Sequence, residues 1–215
     1  MGERMSRGEE SRFSFRLMTA DDVGRVPIGC QGDEAALRSR IADVGSAAVL
    51  AFDGAQHVAQ LQFRRYDQTC RSPNGLWDPL YWGEFGDTAP ALPTNSLSIF
   101  CYHVGQLDDS ERRDARYQGR GLGVALLDYL LEWAAGAGFA AIAAKATPPQ
   151  RAVMGFMGGQ PTDIYEARGF EVSASWIDRQ LLDVVHEKAL LPEGTAPDVA
   201  ARVSLCVKFL ASGAE

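Results

Sequence analysis

Phe13, Phe15 and Leu17 alternate with Ser14 and Arg16 along Arg12 to Met18, a period of two that predicts a half-buried strand. Thr19-Ala20-Asp21-Asp22 follows as a helix start, with an N-capping hydroxyl and acids in the first turn. Helical segments are expected over much of Asp21 to Val44, broken near Pro27 to Gly32. Ala47 to Phe52 and His57 to Tyr66 are strand-like runs flanking Asp53-Gly54, a hairpin-turn pair. Leu97 to Val104 and Phe139 to Ala146 are largely apolar and read as buried strands. Between them Leu122, Ala125, Leu126, Tyr129, Leu130, Trp133 and Ala134 recur at three- and four-residue spacing, the stripe of a helix buried along one face. Val172 to Ile177 reads as a further strand, and Leu181, Leu182 and Val185 give Arg179 to Leu191 helical spacing. Val203, Leu205, Val207 and Phe209 alternate with polar residues in a final half-buried strand, which offers a pairing edge for a homodimer. Residues 1–11 are polar and aperiodic, a disordered tail ahead of one domain over residues 12–215.

Two segments fit neither period. Cys70 to Ser96 carries Trp77, Tyr81, Trp82 and Phe85 between proline-rich flanks. A connection that long suggests a lid or binding loop, whose rings would suit a flat or cationic ligand, or else a loop anchored on its own domain. Pro148 to Pro161 places Met154, Phe156 and Met157 between glycines, either to shape a pocket or to plug the core.

The net charge of −7 lacks the basic stripe that nucleic-acid binding requires and is compatible with a cationic substrate. No apolar run is long enough to cross a membrane, and no leader pattern opens the chain. Cys30, Cys70, Cys101 and Cys206 are scattered, with no C-x-x-C pair. That argues against a zinc site or a disulfide scaffold and favours a reducing cytoplasm, with Cys101 and Cys206 expected as core residues.

The candidate chemistry concentrates in Tyr117-Gln118-Gly119-Arg120-Gly121-Leu122-Gly123-Val124-Ala125, three alternating glycines at the start of the buried helix. Glycines there leave backbone N–H groups open to close approach, and the helix dipole adds positive potential, so the turn suits a phosphate-bearing ligand. No Gly-Lys-Ser/Thr follows, which excludes a P-loop. The glycines also lack the spacing and the preceding strand of a dinucleotide fold.

Gln118, Gly121 and Gly123 satisfy Gln/Arg-x-x-Gly-x-Gly/Ala. Tyr165, Gly169 and Phe170 follow in a Tyr-x-x-x-Gly-Phe ending. In this order, and over about residues 97–176, the chain resembles the GNAT superfamily of acyl-CoA-dependent N-acyltransferases. The resemblance implies an α/β (α+β) fold, a mixed and mostly antiparallel sheet with helices on both faces. It also implies acetyl-CoA, or another short acyl-CoA, lying where the fourth and fifth strands splay. Carried over, main-chain groups of Tyr102, His103 and Val104 would pair with pantetheine. Backbone N–H groups of Gly119, Arg120, Gly121, Leu122, Gly123 and Val124 would hold the pyrophosphate, with the Gln118 and Arg120 side chains in reach. Tyr165 would be the general acid for the leaving thiolate, because a phenol keeps its proton at neutral pH yet can donate it. Glu84, Asp87 and His103 are candidates for the base. The implied reaction is direct attack by a primary amine, on a small molecule or a peptide. The alternatives are an acyl-CoA-binding or regulatory module without chemistry, and a nucleotide-phosphate binder unrelated to CoA. Two departures stand out: the linker from Val104 to Gln118 is long for the family, and Gly158 stands where an Asn that touches CoA is frequent.

Overall fold

The computed structural model describes residues 12–70, 85–110, 112–191, 194 and 196–210. The expected tail of residues 1–11 lies outside the described residues, as do Trp77, Tyr81, Trp82 and the base candidate Glu84. Among the described residues, seven strands form one sheet: β1 (Phe13–Leu17), β2 (Ala48–Asp53), β3 (Gln56–Arg65), β4 (Ser96–Val104), β5 (Ala141–Ala146), β6 (Glu171–Ile177) and β7 (Arg202–Phe209). Their order is β1-β2-β3-β4-β5-β7-β6. Every pair is antiparallel except β4 with β5, which is parallel, so the sheet is mixed and mostly antiparallel as expected.

Two helices cover the first half of the sheet on opposite faces. Helix α1 (Glu34–Val44) begins where the Asp33 side chain accepts from the Ala36 N–H, and it ends on Gly45 in the left-handed region. Its Leu37 packs with Ala48 and Leu50 of β2. Helix α2 (Leu122–Gly136) packs Leu126, Leu127, Leu130 and Ala134, all fully buried, against Val49 and Ala51 of β2 and Leu61 and Phe63 of β3. Successive strand residues point to opposite faces, which is why alternate positions of β2 serve the two helices. Each buried leucine of α2 contributes roughly 2 kcal/mol of transfer free energy, so this face is the main anchor of the glycine turn that precedes it.

Three expectations change. The helical reading of Asp21 to Val44 reduces to one 3-10 turn at Ala20–Asp22 and α1. Gly24, Gly29 and Gly32 take positive φ around Pro27, and the chain between runs as a loop. The segment from Pro148 to Pro161 contains a helix that periodicity did not reveal, α3 (Arg151–Met157). It is followed by α4 (Thr162–Glu166), while α5 (Arg179–Glu187) and α6 (Pro197–Ala200) precede the last strand. That last strand, β7, lies between β5 and β6 with both sides paired, so it is no edge for a homodimer. The edges are β1 and β6. No described helix is long and apolar enough to cross a membrane.

The decisive feature is where β4 leaves β5. Their pairing runs only from Ser96 to Ile99 against Ala141 to Ala144. A bulge opposite Gln62 and Phe63 inserts Phe100 at that point. Without it, Ile99, Cys101 and His103 would share one face. The extra residue instead puts Leu97, Ile99, Tyr102 and Val104 on the α2 side, in one cluster. Cys101 and His103 therefore point to the other face.

Candidate functional site

Between the diverging strands lies a cleft of about 380 Å³, floored by the start of α2. Gly119 (φ 69°) and Gly121 (φ 75°) occupy the left-handed region, and at neither would a Cβ meet an atom within 4 Å. The glycines are there for backbone conformation and leave the space above the turn clear. Gly121 caps α2 without any side-chain bond, and its carbonyl accepts the first helical bond from Ala125 N–H at 2.9 Å. The N–H groups of Leu122, Gly123 and Val124 precede that first bond and have no intrahelical acceptor. Gln118, Gly119, Gly121, Leu122, Gly123 and Val124, all predicted at the site, line the cleft.

Arg120 is placed differently. Its side chain is exposed and donates back to the Arg116 carbonyl, and it is not among the lining residues. The cations that do line the cleft are Arg113 and Arg151, the latter donating to Gln118 Oε1 at 3.5 Å. Arg113 belongs to the long linker from Val104 to Gln118, and Arg151 to the segment from Pro148 to Pro161. Arg113 is an exposed loop residue and Arg151 opens α3, a helix too short to show a period, so nothing in the sequence singles them out.

The third glycine lies beneath the movable end of a side chain. A Cβ on Gly123 would lie 2.2 Å from Nε2 of Gln160, whose side chain rests over the helix start. Gln160 arrives there because the segment after α3 threads the gap between the splayed strands. Gly158, in the left-handed region at φ 59°, passes so near β4 that a Cβ would lie 2.5 Å from Cys101 Sγ. One on Gly159 would lie 2.3 Å from Cγ2 of Thr147. Through these contacts Tyr102 N–H donates to Gly158 O at 2.6 Å, and Thr147 N–H donates to Gln160 O at 2.9 Å. Tyr102 therefore does not present a free amide for pantetheine, which corrects the sequence-based expectation. His103 pairs with Gln60 of β3, and alternation along the strand leaves Val104 as the residue whose main chain faces the cleft.

The catalytic candidates divide the same way. Tyr165 of α4 is 1% exposed and does not line the cleft. Its ring packs edge-on against Phe170 at 5.2 Å, and its hydroxyl donates to the Tyr102 hydroxyl at 3.3 Å. Burial pushes both phenols well above their ordinary range, so each holds its proton at neutral pH. Tyr102, which lines the cleft, stands between it and Tyr165. Asp87 is exposed in a 3-10 turn at Gly86–Thr88, beside Phe85, which is buried against Tyr66. That ring anchors the described end of the aromatic loop to the domain.

His103 is 4% exposed on the face away from α2, where Nδ1 lies 3.1 Å from a guanidinium nitrogen of Arg113. An arginine only donates, so Nδ1 accepts and the proton sits on Nε2. In that tautomer the inward nitrogen has no lone pair for a substrate ammonium proton, which argues against His103 as the base.

Comparison with known proteins agrees with this architecture. Residues 99–158 match the acetyltransferase (GNAT) family, a span that holds the splayed half of β4, the glycine turn, α2, β5 and α3. No curated protein matches the chain. Among solved structures, the ribosomal-protein-S18-alanine N-acetyltransferase of Escherichia coli aligns with 12% identity and TM-score 0.52, over 94% of this chain and 97% of its own. A phosphinothricin acetyltransferase of Sinorhizobium meliloti, solved with acetyl-CoA, aligns with 15% identity and TM-score 0.51, over 94% and 90%. The Salmonella typhimurium protein yncA, solved with its cofactor acetyl-CoA, aligns with 13% identity and TM-score 0.50, over 95% and 98%. The chain has the GNAT fold.

Proposed function

We propose that this GNAT-fold chain transfers an acetyl or other short acyl group from acetyl-CoA to a primary amine on a small molecule or a peptide. The observation that carries the reading is the bare, glycine-floored start of α2 in the wall of the cleft, flanked by Arg113 and Arg151. Unpaired N–H groups, a helix dipole and two guanidinium groups form a receptor for the diphosphate of a CoA carrier, whose thioester supplies the acyl group. Solved relatives of the same fold that hold acetyl-CoA support this choice over a nucleotide. Val104 would offer main-chain pairing to the pantetheine arm. The Tyr165–Tyr102 hydroxyl pair would supply the proton for the departing thiolate, with Tyr165 backing Tyr102 across 3.3 Å. With His103 in the wrong tautomer and Asp87 exposed in a turn that does not line the cleft, the amine would lose its proton to water in the open cleft. Free cysteines and the use of acyl-CoA support a cytoplasmic setting.

A non-catalytic acyl-CoA-binding module is the second reading, favoured by the one observation that Tyr102 N–H is already taken by Gly158. Calorimetry with acetyl-CoA, followed by free-thiol release over a panel of amines, separates the two. Binding with amine-dependent release is the expected result, and binding without release on any amine class would leave the module. Gly121→Asp should abolish binding under both readings, through backbone strain and repulsion of the phosphates. No heat with acetyl-CoA, alongside a clear response to ATP or NAD, would sink both.

A further inference from the structure

On the sheet face away from α2, three chemistry-bearing side chains meet that are far apart in the chain. Cys101 Sγ lies 3.5 Å from Cys30 Sγ, and a His103 ring nitrogen lies within 4.8 Å of both sulfurs. The nitrogen facing them is Nε2, which has no hydrogen-bond partner and approaches Gly29, the neighbour of Cys30, closely enough that a Cβ there would sit 2.9 Å away. The loop bearing Cys30 is held in place by two fully buried glutamines of β3. Gln60 donates to Pro27 O at 2.8 Å and Gln62 donates to Ile28 O at 3.0 Å, while Gln62 Oε1 accepts from Cys30 N–H at 3.1 Å. Asp109 takes the Ile28 N–H at 2.7 Å from the other side. Cys30 is half-buried and Cys101 is 1% exposed.

Count and spacing would suit a metal ion, but the second shell opposes one. A metal-bound histidine donates its remaining N–H to an acceptor, and here that position faces Arg113, which can only donate. The same arrangement suits a thiolate. Cys101 S–H donates to Cys30 Sγ, the His103 Nε2–H lies close by with no other acceptor, and the Arg113 charge lies behind them. These groups bring the Cys30 thiol well below its ordinary range, while burial raises Cys101 and keeps it as the protonated partner.

We propose that Cys30 and Cys101 are a peroxide-reactive dithiol, with Cys30 the site of oxidation and Cys101 the thiol that resolves it into a disulfide. The Cys30 thiolate attacks one peroxide oxygen, the O–O bond breaks, and hydroxide leaves a sulfenic acid on Cys30. Cys101 sulfur then attacks Cys30 sulfur, the S–O bond breaks, and the departing oxygen takes the Cys101 proton to leave as water. The peroxide gains two electrons and the thiol pair loses two. A dithiol reductant reverses the bond by exchange. The disulfide would fasten the Pro27–Gln31 loop to β4 beside the bulge. This inference stands apart from acyl transfer, since neither cysteine lines the cleft.

The test uses the full reduced chain. It is exposed briefly to near-stoichiometric hydrogen peroxide, alkylated, digested and mapped by mass spectrometry, with Cys70 and Cys206 as internal references. A linked peptide joining Cys30 and Cys101, formed at least about tenfold faster than any change at the references, is the expected result. In Cys101→Ser the sulfenic acid on Cys30 should persist long enough for dimedone to trap it. Oxidation that favours Cys70 or Cys206, or a link from Cys30 to Cys70, would overturn the proposal, and the wild-type map alone decides this if the variant fails to fold. So would one equivalent of zinc in the purified protein that shields Cys30 from alkylation until chelated.

Discussion

The amide of Tyr102 donates to the carbonyl of Gly158 at 2.6 Å, and this bond joins the segment after α3 to the open side of β4. It satisfies an edge that β5 has abandoned, and only a residue without a side chain can make the approach. Gly158→Ala should destabilise the protein by about 1–3 kcal/mol, because it adds left-handed strain to a clash with Cys101 Sγ. Thermal or urea melting checks this, and a variant as stable as the parent would show that the segment is loosely held.

The two phenols offer a kinetic test. If Tyr102 and Tyr165 act as one proton donor, Tyr102→Phe should reduce amine-dependent thiol release by about a hundredfold. Tyr165→Phe should reduce it too, with acetyl-CoA affinity changed by less than about threefold in either variant. Full activity in Tyr102→Phe would detach Tyr165 from the cleft, since Tyr102 is the group between them.

Arg113 and Arg151 line the cleft, whereas the Arg120 side chain turns back on Arg116. Titration calorimetry should find acetyl-CoA binding weakened by roughly three- to tenfold in Arg113→Ala and in Arg151→Ala, with a shallower dependence on salt. Arg120→Ala should bind as the parent does. A loss at Arg120 equal to that at Arg151 would place the diphosphate elsewhere on the turn.

His57 gives the fold a pH dependence of known sign. It is 5% exposed beside Phe52, and burial pulls its pKa down to about 4. The unfolded chain binds a proton near pH 6.5 that the folded chain refuses until about pH 4. This contribution is therefore absent above pH 6.5 and grows as a loss of stability down to pH 4, up to about 3 kcal/mol. Urea melts of the parent and His57→Gln between pH 7 and pH 4.5 should converge as the pH falls, and parallel curves would show that His57 titrates normally.

Local patterns carried most of the architecture. The alternation in β1 and the stripe of α2 record burial on one face, and the apolar runs of β4 and β5 record burial on both, so the strands and the long helix could be read in order; β7, expected to be half-buried, is covered on both faces from Val203 to Val207. The glycine turn was equally legible, because an open helix start depends on residues within one turn of each other. Helix α3 escaped, because its packing residues sit between glycines in a segment of seven residues with too few turns to show a period.

Only the tertiary structure decided what those elements bring together. A single extra residue in β4, Phe100, reverses which face Cys101 and His103 occupy, and a bulge arises from strand pairing rather than from any local preference. That reversal sets Cys101 beside Cys30, 71 residues away, although the scattered cysteines by themselves argued against any grouping. It also leaves Tyr102 between Tyr165 and the cleft, and with the Tyr102 amide taken by Gly158 the main chain that remains for the gap is that of Val104. Hydrophobic periodicity records which side of an element is covered. Which distant side chains share that cover depends on register and splay, and these are settled only when the whole sheet packs.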